Sequence, residues 1–414
     1  MLLLNKKNTM INRRKVIKNL ASLPFIGAFL GSNTLSANPE TAAVISNVRR
    51  DFFKELGLRT FINAAGTYTS MTGSLMSKEV IEAISYGASE YVNLDELQDK
   101  VGERIAELLN CEYATVSSGA FGAMSIGMAG VMCGMDSQKV KQLPNTDGLK
   151  NEVILQESHT IGYAQALTNV GAKLVKVKTV NQLEKSITKK TVMLWFLNAN
   201  TDQGEIKREE FVALGKKHNI PTFIDCAADV PPVENLFRFT KMGFDLVAFS
   251  GGKGLRGPQS SGLLLGKRKY IEAARLHTPP RGETIGRGMK VNKEEVLGML
   301  AALEIYLNKD HKNEWKMWES QIQLISDAAN SVDGVNSEIH VPKHANHVPS
   351  LRIKWNQKLV KITPNEMRRQ LREGHPSIQT VGNDNILGIT TWMMVPGQER
   401  IVAKRVKEIL INAT

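Results

Sequence analysis

Phe249-Ser250-Gly251-Gly252-Lys253-Gly254-Leu255-Arg256-Gly257-Pro258-Gln259 is the stretch on which the reading of this chain turns. The apolar run from Asp245 to Phe249 leads into it, and Ser261-Gly-Leu-Leu-Leu-Gly266 follows. Short apolar runs bounded by glycine read as buried strands, so a single lysine stands among glycines just past a strand end. Glycine tolerates φ > 0, and the expectation is a backbone that bends freely around that lysine. Upstream, Phe223-Ile224-Asp225-Cys226-Ala227-Ala228 puts an acid at the end of another apolar strand.

An amine in so cramped a place is partly desolvated, which lowers its pKa and suits it to Schiff-base chemistry. A lysine and an acid at two strand ends match what pyridoxal phosphate asks of a protein. Lys253 would carry the cofactor, and Asp225 would face its pyridine nitrogen. The plainer alternative is a flexible surface lysine and an ordinary strand-end acid.

Working outward, Val153–Gln156, Leu174–Val177, Val192–Leu197, Thr222–Asp225, Leu246–Phe249 and Gly262–Leu265 read as strands. Helical segments at Ile161–Asn169 and Lys207–His218 alternate with them. This pattern predicts an α/β fold: a mostly parallel sheet with helices on both faces and ligands at the carboxyl ends of strands. Lys78–Tyr91 and Leu94–Leu109 have apolar residues at helical spacing. The segment from Tyr113 ends a strand at Ser117-Ser118-Gly119, where a helix starts; the free N–H groups of a helix N-terminus suit a phosphate. A plain N-cap is the alternative there. Ala114–Met135 carries no charge, but its glycines and serines and its place in the alternation argue for a buried helix, not a membrane span. Four segments follow: 1–37, an export signal; 38–65, an N-terminal arm with a helix at Ala42–Leu56 and a strand from Phe61; 66–290, a large domain; and 291–414, a linking helix and a smaller α+β domain. In that last segment, helices at Val291–Leu307 and around Trp315–Ile325, strands at Ser350–Trp355 and Asn385–Ile389, and a closing helix Gln398–Leu410 are expected.

The 414 residues suffice for two or three domains, and the composition, 42% hydrophobic and 23% charged, is that of a soluble globular protein. The net charge is +12. Half of it lies in residues 1–37, which contain Lys6, Lys7, Arg13, Arg14, Lys15 and Lys18 and no acid. The mildly basic remainder suits anionic small molecules and has no basic, aromatic-interleaved tract of the kind nucleic-acid binders show. Cys111, Cys133 and Cys226 form neither a CxxC pair nor an even framework, which argues against a disulfide scaffold or a zinc ribbon. Arg13-Arg14-Lys15-Val16-Ile17-Lys18, the uncharged Leu20–Leu30 and the small residues around Ser32–Ala37 resemble a twin-arginine export signal. The expectation is a periplasmic protein, or a cytoplasmic one if the leader does not function. The export route carries folded proteins, so a cofactor would be loaded first.

Phe61-Ile-Asn-Ala-Ala-Gly-Thr67, Glu96-Leu-Gln98, Val116-Ser-Ser-Gly-Ala120, Asp225-Cys-Ala-Ala228, Phe249–Gln259 and Gly286-Arg-Gly-Met-Lys-Val-Asn-Lys-Glu-Glu295 occur in one order. From about Arg59 onward the chain thereby resembles the selenocysteine synthase-like group of fold-type-I pyridoxal phosphate enzymes. That group includes the bacterial L-seryl-tRNA selenium transferases and D-glucosaminate-6-phosphate ammonia-lyase. The Gly-Gly-Lys form looks closer to the ammonia-lyase branch; the selenium transferases are expected to have an acid at Gly252. The resemblance implies an aspartate aminotransferase-like architecture, a homodimer or larger assembly, and Lys253 as the cofactor's lysine.

Ser118, Gly119 and Ala120 are candidates for the cofactor phosphate, with Ser250 as a further donor. His159 is expected to stack on the cofactor ring and Ala227 to press on its other face. Arg256, Arg281, Arg287 and Lys290 are candidates for a substrate's carboxylate or phosphate, because a guanidinium offers bidentate geometry. His340, His344 and His347 have a spacing that invites a metal, but no acid or cysteine beside them completes a ligand set, and no metal is expected. The expected reaction is that of a lyase: loss of a β-hydroxyl and ammonia from an amino-sugar acid or hydroxy-amino acid. The same Cα chemistry also serves aminotransferases, racemases and aldolases. Selenium transfer on seryl-tRNA fits an exported protein poorly. His375-Pro376-Ser377-Ile378 is followed by Gln379, where the family resemblance leads one to expect a basic residue.

Overall fold

Six strands end at one edge of a seven-stranded sheet, and that edge carries the chemistry. In a computed structural model that describes residues 50–414, thirteen strands are formed. They are β1 (Phe61–Asn63), β2 (Tyr113–Ser118), β3 (Glu152–Gln156), β4 (Lys173–Val177), β5 (Thr191–Leu197), β6 (Thr222–Asp225), β7 (Leu246–Ser250), β8 (Ser261–Gly266), β9 (Val335–His340), β10 (Ser350–Trp355), β11 (Ser377–Gln379), β12 (Val381–Asn383) and β13 (Ile386–Thr390). The predicted leader and residues 38–49 of the arm lie outside the described residues. Residues 50–58 contain a one-turn helix, Phe52–Glu55, whose N-cap Asp51 accepts a bond from the Lys54 N–H.

The large sheet has the order β2-β8-β7-β6-β5-β3-β4. All its pairs are parallel except those of β8, which runs against β2 and β7. Strands β5 and β6 are buried along their whole length, which is why they read as unbroken apolar runs. The uncharged helix Gly119–Cys133 packs on one face, its Met124, Ile126 and Met128 in one core with Phe223 and Leu264 of the sheet. A helix that is apolar all round belongs inside a protein. Helices Leu94–Leu109 and Lys293–Leu307 cover the other face.

The C-terminal part has a four-stranded antiparallel sheet, β12-β13-β10-β9. Leu351, Ile353, Leu387 and Ile389 pack against helices His311–Asn330 and Gln398–Asn412. Strand β1, expected in the N-terminal arm, pairs in parallel with β11 near the C-terminus. Its Ile62 and the following Ala64 are buried in the same core as Ile378 and Leu387. The hydrogen-bonding partner of a three-residue strand lies more than 300 residues away, beyond what local pattern reports. Among the described residues, no helix is long and apolar enough to cross a membrane.

Candidate active site

Asp225 ends β6, Ser250 ends β7, and the turn after β7 carries Lys253. All three line one cavity of about 880 Å³, together with Gly119, Ala120 and Ala227. The glycines beside the lysine are required by packing. A Cβ on Gly252 would stand 2.3 Å from Gln259 Cα, and one on Gly254 would stand 2.0 Å from the Val230 carbonyl oxygen. The expected freedom of φ is not used: Gly251, Gly252 and Gly254 are absent from the left-handed positions, and the residue that adopts one is Arg256, at φ 56°.

Lys253 is half-buried. Burial lowers the pKa of its amine, while the nearby Asp225 and Asp229 act in the other direction. Asp225 is 3% exposed, and its Oδ1 accepts the Ala227 N–H at 2.9 Å. Burial raises its pKa, opposed by that bond and by Lys253. Asp229, four residues further along, was not singled out from sequence. It is buried, accepts the Ala345 N–H at 2.9 Å, and is pushed up to about 6, by burial first. The Asn346 N–H donates to the Ala228 carbonyl at 2.7 Å, so the 342–348 loop is tied to the loop that follows Asp225.

At the opposite end, Gly119 at φ 68° turns β2 into the helix, a conformation that favours glycine. Gly119 and Ala120 then face the cavity at the helix N-terminus, where N–H groups lack intrahelical partners. Ser118 does not reach the cavity. It lines a separate void of about 20 Å³ with Ser117 and Gly122.

Five other candidates lie away from this cavity wall in the chain. His159 is fully buried and off the cavity wall. Its Nδ1 accepts the Leu197 N–H at 3.2 Å and its ring meets Phe196 edge-on at 4.4 Å, so it has no free face for stacking. Arg256 donates to the Trp392 carbonyl at 2.7 Å and sits 3.8 Å from the buried Glu314. Arg281 pairs with Asp95 at 3.1 Å. Arg287 and Lys290 are not on the cavity wall either. The three histidines diverge: His344 turns to Asp202, His347 to the Pro342 carbonyl, and His340 to the cavity. Side chains on the wall that sequence reasoning passed over include Tyr68, Phe121, Tyr163, Arg352 and Trp392. Phe121 directly follows the glycine-led helix start, which was the available signal.

These residues fit pyridoxal phosphate. Asp225 is a buried carboxylate on the cavity wall whose one hydrogen bond within the chain comes from Ala227, which leaves acceptor capacity for a ring N–H. Lys253 supplies an amine, and the helix N-terminus supplies donors for a phosphate.

The fold and these residues define a fold-type-I pyridoxal-phosphate enzyme. The solved structure of D-glucosaminate-6-phosphate ammonia-lyase superposes with a TM-score of 0.77 at 25% identity, covering 88% of this chain and 99% of that one. The family model for L-seryl-tRNA selenium transferase (SelA) matches residues 155–362, half of the chain, and the chain belongs to that family. Its cofactor is pyridoxal phosphate. Among curated relatives, D-glucosaminate-6-phosphate ammonia lyase of Salmonella typhimurium is 26% identical over 88% of this chain and 99% of its own length. 5'-C-glycyluridine monooxygenase-decarboxylase of a Streptomyces species is 26% identical over 87% and 92%.

Proposed function

We propose that the protein is a pyridoxal-phosphate-dependent lyase that removes the β-hydroxyl and ammonia from an amino-sugar acid or hydroxy-amino acid, leaving a 2-keto acid. The observation that carries this reading is the meeting of Lys253, Asp225 and the Gly119–Ala120 helix start on one cavity wall. At about 880 Å³ the cavity lies in the upper part of the range of small-molecule sites, about 300–1,000 Å³, which leaves room for a substrate beside a cofactor. Similarity to the ammonia-lyase over almost its whole length supports the lyase branch.

When bound, the cofactor supplies an electron sink for negative charge at the substrate's Cα. Lys253 would hold the cofactor, and its amine, made less basic by burial, would take the Cα proton and later return a proton. Asp225 would keep a proton on the ring nitrogen. The Gly119 and Ala120 N–H groups and the Ser250 hydroxyl would hold the phosphate, and Ala227 would border the ring's site. The β-hydroxyl departs as water, and the released enamine takes up water to give keto acid and ammonia. With Gln379 in place of a basic residue, the substrate favoured is unphosphorylated. Incubation with D-glucosaminate and a panel of hydroxy-amino acids, read as keto acid formed, tests the proposal; no turnover on any of them refutes it.

Two accompanying proposals concern assembly and location. A second copy of the chain covers the exposed Leu75, Met76, Ile81, Tyr86, Tyr91 and Val92, which gather in one short segment. A monomeric mass in solution at micromolar concentration would refute this. Residues 1–37 direct export, and cell fractionation with and without Arg13→Lys/Arg14→Lys tests it; a cytoplasmic parent protein refutes it.

A further inference from the structure

Two loops meet beside the active-site cavity. One follows Asp225 through Ala227 and Ala228 to Asp229. The other, residues 341–349, joins β9 to β10 and brings Pro342, Asn346 and Val348 to the cavity wall. Successive N–H groups of the second loop donate to the first: Ala345 to Asp229 Oδ1 at 2.9 Å, and Asn346 to the Ala228 carbonyl at 2.7 Å. Both donors hold the left-handed conformation, Ala345 at φ 49° and Asn346 at φ 47°. Residues with a Cβ adopt it at a cost, and such a conformation persists where the surroundings over-determine it.

The acceptor side is rigid. Asp229 is 2% exposed. Its N–H donates to the Cys226 carbonyl at 3.1 Å, and its own carbonyl accepts from Asn235 Nδ2 at 2.8 Å. The Asn198 side chain stands beside the Asp229 carboxyl, and Arg208 donates to Asn198 Oδ1 at 2.8 Å. The loop's other tie across to the large sheet's connections is exposed: Asp202 meets His344 at 3.3 Å and Lys343 at 3.7 Å. Exposed pairs of this kind contribute little. The buried carboxyl is therefore the firm end of the join.

We propose that Asp229 is a positioning residue: its carboxyl clamps the β9–β10 loop onto the loop after Asp225 and thereby sets the wall that an amino-acid ligand meets beside the cofactor. The inference rests on the reading of this cavity as the site of cofactor and substrate. Asp229 is not on the cavity wall, so it acts through Asn346 and Val348 without touching the ligand.

The test uses cofactor-loaded protein at pH 8, above the Asp229 pKa of about 6. The probe is aminooxyacetate, which forms an oxime at the cofactor's carbonyl carbon and frees the Lys253 amine whatever the natural substrate is. Binding is read as the change in cofactor absorbance, and hydrogen exchange at the Ala345 and Asn346 N–H groups reads the clamp directly. A hydrogen bond to a carboxylate biases an equilibrium by about 10- to 100-fold. Apparent affinity falls with the fraction of molecules whose loop is in place. Asp229→Ala is expected to lose about tenfold in affinity, the lower figure because the bond to Ala228 remains, and to speed exchange at both N–H groups by about the same factor. Asp229→Asn keeps an acceptor oxygen and should stay within about threefold of the parent in both readouts. Both variants remove the same charge from the surroundings of Lys253, so the difference between them isolates the acceptor. Asp202→Asn, which breaks the exposed tie, should also stay within about threefold. Asp229→Leu, which fills the space without an acceptor, serves where the alanine variant does not fold. Equal losses in Asp229→Ala and Asp229→Asn, no loss in either, an equal loss in Asp202→Asn, or parent-like exchange in Asp229→Ala would each overturn the proposal. A parent protein that does not react with aminooxyacetate would take away the cofactor site and the proposal with it. The expected pattern without keto acid from any hydroxy-amino acid would sink the lyase reading alone.

Discussion

Replacing Gly254 by alanine asks whether close packing holds Lys253 in place. The new Cβ would stand 2.0 Å from the Val230 carbonyl oxygen, 2.7 Å from its carbon and 3.2 Å from Pro231 Cδ. Non-bonded heavy atoms settle at about 3.5–4.0 Å, so backbone must move by roughly 1.5 Å. Overpacking of this kind costs about 1–3 kcal/mol, and a clash with backbone belongs at the upper end. Alanine recovers about 0.4–1 kcal/mol through the less flexible unfolded chain. The net expectation is a loss of about 2 kcal/mol, or about 2 °C in melting temperature for a chain of this size. Two comparators set the scale. Gly119→Ala meets no atom within 4 Å but must hold φ 68°, at about 1–2 kcal/mol. Gly282→Ala meets nothing and needs no positive φ, so it should change stability by less than about 0.5 kcal/mol. Urea unfolding of cofactor-free protein separates these costs from the stabilisation that a bound cofactor adds. Absorbance titration of the refolded variants then reports cofactor affinity, which should fall in Gly254→Ala because Val230 adjoins the Asp225–Asp229 loop. A Gly254→Ala protein within about 0.5 kcal/mol of the parent would refute the packing argument.

Asp225→Asn should retain its fold but lose at least about 10²-fold in kcat, because the ring nitrogen loses its proton-holding partner; keto acid formation measures it. Lys253→Ala should abolish both turnover and the absorbance of the attached cofactor, and turnover that survives would contradict the role given to this lysine. His159 and His277 are fully buried and their pKa values are lowered to about 4, by burial first. Between about pH 4 and 6.5 the unfolded chain binds protons there that the folded chain does not, so stability should fall on acidification, by up to about 3 kcal/mol for each histidine. Asp229, pushed up to about 6, works the other way: the folded chain keeps its proton, and this group's contribution falls as pH rises from about 4 to 6. Urea midpoints across that range should therefore become steeper with pH in Asp229→Asn and flatter in His277→Asn.

Much of the cofactor end was legible in sequence because its signals are local. Strands β6 and β7 are buried on both faces and read as apolar runs, and the residue that follows such a strand in this fold lies at the ligand edge. Lys253, Asp225 and Gly119 are each announced by their own neighbours in the chain. The substrate end is different. Arg256 and Arg281 looked available because sequence cannot show that the Trp392 carbonyl takes up the first and Asp95 the second, across 136 and 186 residues. His159 follows a strand end as expected, yet its ring is turned into the protein, where Nδ1 accepts the Leu197 N–H of β5.

Arg352 is the clearest case of division between the two sources. The alternation of Ser350, Arg352 and Lys354 with Leu351 and Ile353 already shows in the sequence that the strand has two faces. It does not say that part of the polar face borders a cavity. That depends on the strand order β12-β13-β10-β9 and on a loop fastened at Ala228 and Asp229, both made of contacts between distant residues. The sequence by itself determined the candidate lysine, the candidate acid and the buried strands that end at them, because short-range patterning specifies buried strands and their ends. Only the tertiary structure decided which cations line the cavity, because a side chain's availability depends on what packs against it from elsewhere in the chain.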